Sequence, residues 1–179
     1  MSSRIRALEA LGCHKVMTAR QLDRLHNVPP RVLTGLPRVT LTVSPVHMRN
    51  SLYVDATFVA LDERDLNRRQ CYLTHWAGTA EMQAALGVPL DRWRVLPTGW
   101  RQNRPDAEYD DPDRQGIIAA EFDSGTYTRT KIKEKCCCFA KTYSSTVWGV
   151  CSSVRRRHIA DLVPRVVVAP WWISERRNG

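Results

Sequence analysis

Two short stretches decide the fold: Arg104-Pro105-Asp106-Ala107-Glu108-Tyr109 and Gly116-Ile117-Ile118-Ala119-Ala120-Glu121-Phe122-Asp123-Ser124-Gly125-Thr126. The first reads as extended chain, because a proline disfavours the helical conformation for the residue before it. The second is an apolar run of strand length, bounded by glycine on one side and a Ser-Gly-Thr turn on the other. The acidic segment Asp110 to Asp113 lies between them and reads as a turn. Two antiparallel strands joined in this way would bring Asp106 and Glu121 close together. Glu121 and Asp123 are two apart, so they share one face of their strand.

Toward the C-terminus, Thr128 to Thr142 reads as a basic helix, Thr146 to Val150 as a strand, Val154 to Leu162 as a helix and Val166 to Ala169 as a strand. This rhythm predicts an α/β sheet covered by helices. Toward the N-terminus, Ile5, Leu8 and Leu11 have helical spacing, with Gly12 as a stop. Thr18 then caps a second short helix, with Gln21 in the capping-box position. A third, Pro-initiated segment, Pro30 to Gly35, is where a DNA-recognition helix would fall, and Val39 to Val43 alternates like the strand of a wing. A plain helical hairpin packed on the main domain fits the same residues. Between the two ends, His47 to Leu61 is expected to be helical, residues 62–69 a loop, Cys71 to Trp76 a strand, Ala80 to Leu86 a helix stopped at Gly87, and Trp93 to Leu96 a strand. The chain thus divides into a winged-helix-like segment, 1–46, and a larger domain, 47–179.

Three clustered carboxylates, Asp106, Glu121 and Asp123, repel one another unless a cation neutralises them. Hard oxygen ligands suit Mg²⁺ or Mn²⁺. A lysine beside them would hold water or phosphate, and Lys131 and Lys135 share one face of the basic helix at i,i+4. Asp55 is a looser candidate for a further ligand. Acids and lysines of this kind also serve simply to solvate a sheet edge and a helix face.

The charge distribution favours a polyanion. The net charge is +9. Residues 1–46 carry seven Lys/Arg against two Asp/Glu, residues 47–123 nine against thirteen, and residues 124–179 eleven against three, so basic flanks surround an acidic middle. Each Lys or Arg that meets a phosphate releases a counterion. Arg20, Arg24, Arg31, Arg129, Lys133, Arg155, Arg156 and Arg157 are the candidate nucleic-acid contacts, the last three at a helix N-terminus that could receive a phosphate.

Other chemistries lack support. There is no P-loop, Gly-rich dinucleotide loop, Ser-His-Asp order or CxxC pair. The six cysteines, three of them adjacent at Cys136 to Cys138, read as reduced thiols used as small apolar side chains. His47, His75 and His158 have no ligand-like spacing and are expected to be structural. Phe139, Trp148, Trp171 and Trp172 could stack on bases, but core packing is the expectation. No apolar run approaches a membrane span, and the first residues lack a signal-peptide pattern, so a cytoplasmic location is expected.

Pro105-Asp106-Ala107, then Ala120-Glu121-Phe122-Asp123-Ser124-Gly125-Thr126, then a helix bearing Lys135 and Phe139, resemble the PD-(D/E)XK nuclease superfamily. More narrowly they resemble replication-relaxation proteins of plasmids and other mobile elements. The Met17 to Leu22 phrase is similar to the opening of that family's winged helix. The resemblance covers residues 104–163 well and 4–26 loosely. It implies a restriction-endonuclease-like mixed sheet flanked by helices, binding DNA and hydrolysing phosphodiesters with Mg²⁺ or Mn²⁺ on Asp106, Glu121 and Asp123. The lysine of the superfamily usually stands two residues after the strand acid. Asp123 holds that position here, so the resemblance implies that Lys135, or Lys131, reaches in from the helix. The alternative is a non-catalytic DNA-binding accessory or replication regulator that keeps the fold. A homodimer is compatible with either.

Overall fold

The computed structural model describes residues 1–45, 53–97, 104–111, 113 and 116–172. Helix α1 (Ser3–His14) starts where the Ser2 hydroxyl accepts from Ile5 N–H. Strand β1 (Val16–Thr18) follows, and Thr18 caps α2 (Ala19–His26) through the expected capping box with Gln21. After a 3-10 turn (Pro30–Leu33) come β2 (Arg38–Val43) and β3 (Val54–Ala60). These strands form an antiparallel sheet in the order β1-β3-β2.

The short α3 (Glu63–Leu66) and long α4 (Gln70–Leu86) lead to a second sheet. It comprises β4 (Trp93–Val95), β5 (Ala107–Asp110), β6 (Ile117–Asp123), β7 (Ser145–Val150) and β8 (Val166–Val168) in sequential order. The first three are antiparallel neighbours, whereas β6, β7 and β8 run parallel. Helices α5 (Arg129–Phe139) and α6 (Ser153–Ile159) make the crossovers that parallel pairing requires. The protein is therefore mixed α/β, with an antiparallel and a mixed sheet flanked by helices. Among the described residues no helix is long and apolar enough to cross a membrane.

Alternation along β6 and β7 separates two layers. Ala120, Phe122 and Val147 face a core shared with Phe58, Trp76, Met82 and Trp171, while Ala119, Trp148 and Val150 face Ile132, Phe139 and Ile159 of α5 and α6. Helix α4 packs between both sheets, with Leu73, Trp76, Ala77, Ala80 and Met82 buried. Gly78 lets it do so: a Cβ there would overlap the Phe122 ring.

Five expectations are corrected. Residues 62–69, expected to be a loop, contain the single helical turn α3, which Asp62 caps by accepting from Arg64 N–H. Residues 54–60 form a strand, not part of a helix, because Ala56, Phe58 and Ala60 bury one face at period two against neighbours on both sides; residues 47–52 lie outside the described residues. Cys71 to Trp76 belongs to α4: its β-prone residues are overridden by burial against two sheets. The segment expected to be a recognition helix is one 3-10 turn, since Pro29 and Pro30 restrict the backbone and Gly35 turns it at φ 80°. The boundary at residue 46 cuts the first sheet, whose central strand β3 lies beyond it.

Two measurements test this packing. Gly78→Ala forces α4 away from β6 and should cost about 1–3 kcal/mol in urea denaturation, in the range of overpacked cores. His14 is buried, and desolvation lowers its pKa to about 3, with the charge of His26 adding to the effect. The unfolded chain therefore binds this proton first, and stability falls as pH drops below about 6.5 toward 3. His14→Leu should shrink the stability difference between pH 7.5 and pH 4.5 by on the order of 2 kcal/mol.

Candidate metal centre

The site forms where β5 begins and β6 ends. Antiparallel pairing of Ala107 with Ala120 sets Asp106, one residue earlier, opposite Glu121. Asp106 Oδ2 accepts from the Phe122 N–H at 2.7 Å, which fixes the carboxylate against the neighbouring strand. Its Oδ1 lies 2.7 Å from His75 Nε2. His75 comes from α4 on one face of the sheet, and its ring meets the Phe122 ring edge-on at 5.7 Å.

Lys135 comes from α5 on the opposite face. Its Nζ lies 2.5 Å from Glu121 Oε1, and the Tyr127 hydroxyl donates to the same oxygen at 2.9 Å. Glu121 is fully buried, and its Oε2 has no hydrogen-bond partner. Two helices on opposite sides of one sheet thus converge on a single strand end.

The electrostatics follow from this burial. Desolvation is the largest influence on Glu121 and raises its pKa; the Asp106 charge raises it further, against the opposing pull of Lys135 and His75. Burial works against a charged His75, yet the net shift is upward, because Asp106 supplies both a charge and a hydrogen bond and Glu121 adds its charge. Tyr127 stays protonated, through burial first and then the neighbouring carboxylates.

His75, Asp106 and Glu121 each offer a ligand atom, and these atoms lie within 4.8 Å of one another, so the group could hold a metal ion. The buried, unpartnered Glu121 Oε2 fits that role, because a buried polar atom without a partner is costly unless something meets it.

The sequence-predicted residues divide. Asp106, Glu121 and Lys135 come together. Asp123 shares the Glu121 face but does not join the ligand group. Its Oδ1 accepts from Gly125 N–H at 2.8 Å and Tyr127 N–H at 3.3 Å, and its Oδ2 from Arg155 at 2.5 Å, so it builds the turn into α5. Lys131 points away and pairs with Glu134 at 3.3 Å, because α5 buries the Ile132–Lys135–Phe139 face. Asp55 lies exposed on the other sheet and accepts from Thr42 Oγ1 at 2.7 Å.

The basic candidates divide as well. Arg20, Arg31, Lys133, Arg156 and Arg157 are exposed. Arg24 is bound to the buried Glu81 at 2.5 Å and Arg155 is held by the buried Asp123, so these two perform structural tasks, whereas Arg129 stays exposed while it pairs with Asp161 at 2.5 Å. Phe139, Trp148 and Trp171 are core residues as expected, and Trp172 is half-buried. A cavity of about 300 Å³ lies away from Asp106 and Glu121, lined by Arg20, Asp23, Asp55 and Trp172 among others.

His75 is the residue that sequence reasoning missed. No ligand spacing within the sequence marks it, and its partner, Asp106, comes from the start of β5. The available signal was a histidine three residues before a glycine, in a helix otherwise apolar enough to be buried. No protein-family model, curated protein or solved structure matches the chain.

Lys135→Met leaves Glu121 buried beside Asp106 without its ammonium partner and should destabilise the fold by about 3–5 kcal/mol. Lys131→Ala should stay within about 0.5 kcal/mol. Parallel urea titrations at pH 7 separate these two outcomes.

Proposed function

We propose that the protein binds DNA and hydrolyses phosphodiester bonds at a metal-dependent, endonuclease-like centre, in a protein of plasmid or mobile-element origin. The observation that carries the reading is the convergence of Asp106, Glu121 and Lys135 at one strand end, the residues that the PD-(D/E)XK resemblance marks. The helix α4, three antiparallel strands, helix α5 and parallel strand β7 support a nuclease-like frame. In the N-terminal unit, two helices and the β1-β3-β2 sheet support a degenerate winged helix, in which the 3-10 turn stands in place of a recognition helix. Contact with DNA would then rest on phosphates more than on base edges.

In this reading Asp106, Glu121 and His75 hold a divalent cation, which supplies activation of water and stabilisation of charge on the phosphate. Tyr127 and Lys135 fix Glu121 Oε1 and thereby aim Oε2. The Lys135 ammonium, 11% exposed on its side chain, orients the attacking water near the phosphate. Arg155 works one step away: it locks Asp123, which shapes the turn that delivers Tyr127. Lys133, Arg156 and Arg157 hold the polyanion on the α5–α6 face.

One observation favours the second reading, a DNA-binding accessory without hydrolysis. Both oxygens of Asp106 and one of Glu121 already have protein partners. Tight internal pairing is what a site turned to structural use would show.

Incubation of the protein with duplex and single-stranded DNA at low salt tests both. Cutting that requires Mg²⁺ or Mn²⁺, and that falls at least about 100-fold in Asp106→Ala and Glu121→Ala, is the expected result, each factor of ten being about 1.4 kcal/mol of barrier. Binding that persists in both variants without cutting in the parent protein would establish the accessory role instead. Replacing Lys133, Arg156 and Arg157 together by Ala should flatten the slope of log K against log salt by up to about 2.7, from roughly 0.9 per phosphate contact on duplex DNA.

A further inference from the structure

The imidazole of His75 bears on which ion the centre prefers, an inference that rests on the metal-binding part of the reading above. Its Nε2 lies 2.7 Å from Asp106 Oδ1. Two ligands at right angles on an ion with bonds of about 2.1 Å stand about 3 Å apart, so these two atoms are already spaced as neighbours on one ion. The third ligand atom, from Glu121, lies within the same 4.8 Å span.

The position of His75 is strongly determined. Gly78, one turn further along α4, lets the helix press onto Phe122, and the Phe122 ring in turn meets the imidazole edge-on. The backbone N–H of Phe122 anchors Asp106. One residue of β6 therefore sets both partners. A carboxylate at position 75 would have made a third acid in the group beside Asp106 and the fully buried Glu121, whereas the imidazole completes the group without adding a third negative charge.

We propose that His75 Nε2 is a direct ligand and that the centre consequently selects a first-row transition-metal dication, with Mn²⁺ as the accessible probe, over Mg²⁺. Mg²⁺ is a hard ion that favours oxygen and sheds water reluctantly. An imidazole nitrogen contributes little to it and more to the borderline first-row metals. One nitrogen and two carboxylates suit the first-row dications increasingly from Mn²⁺ to Cu²⁺, and Mn²⁺, which accepts imidazole beside carboxylate, is the probe nearest to Mg²⁺ that still gains from the nitrogen.

The test uses the full chain and metal binding, with cutting scored separately. Calorimetric titration with Mn²⁺ and with Mg²⁺ should give at least about tenfold tighter binding of Mn²⁺. His75→Gln should abolish that preference, and His75→Asp, which makes the group all-oxygen, should shift it toward Mg²⁺. Pulsed electron paramagnetic resonance on the parent protein loaded with Mn²⁺ gives a readout that does not depend on the variants folding. Coupling to a directly bound ¹⁴N nucleus is expected. Equal affinity for the two ions, or bound Mn²⁺ without nitrogen coupling, overturns the inference, as does failure of Mn²⁺ to bind. Selective Mn²⁺ binding with nitrogen coupling but no DNA cutting would leave the inference standing and remove only the hydrolytic reading.

Discussion

The burial of the Glu121 carboxylate beside that of Asp106 is the constraint around which the second sheet is arranged. Two acids at a strand end in low dielectric repel each other and lose solvation. The fold answers with an ammonium group from one face and an imidazole from the other. Each carrier must sit in one place for this to work. Helix α5 is fixed by Ile132 and Phe139 in the outer layer, and α4 by its contact with Phe122 through Gly78. The electrostatics of four side chains thus depend on apolar packing in two separate layers.

Asp123 shows how a neighbour with the same chemistry can take a different task. It stands two residues from Glu121 on the same face, yet Arg155 and two backbone amides occupy its oxygens. It fixes the turn at Gly125, where φ is 103°, and through that turn the position of Tyr127. The two acids form a relay from α6 through the turn to Glu121, in which each link is a charge-assisted hydrogen bond.

Much of this was legible in the sequence. The β5–β6 pair, the Thr18 capping box, the α5 helix after Thr128 and the short apolar runs of β7 and β8 all carry local signals: a turn, a cap, an unbroken apolar stretch. Asp106, Glu121 and Lys135 could be brought together because strand pairing and helical spacing are local rules. What failed was decided at a distance. Cys71 to Trp76 has the composition of a strand, and only burial against two sheets makes it helical. His75 has no ligand near it in the chain and gains one by tertiary contact. Lys131 and Lys135 are equivalent by spacing, but the apolar stripe of Ile132 and Phe139 turns one inward and the other out. Arg24 and Arg155 carry the same charge as the exposed arginines, and no sequence pattern marks which of them finds a buried carboxylate.

Helix α4 also bears on how the molecule comes apart. It carries Glu81, which binds Arg24 and Gln21 of α2, and His75, which meets Asp106, at points six residues apart along one rod. Its apolar residues belong to the cores on both sides. Neither sheet could melt while the other stayed intact, because the surviving half would expose Trp76, Ala80 and Met82 to water. The chain should therefore denature in one cooperative step, and a proteolytic nick between the two sheets would yield no independently folded fragment.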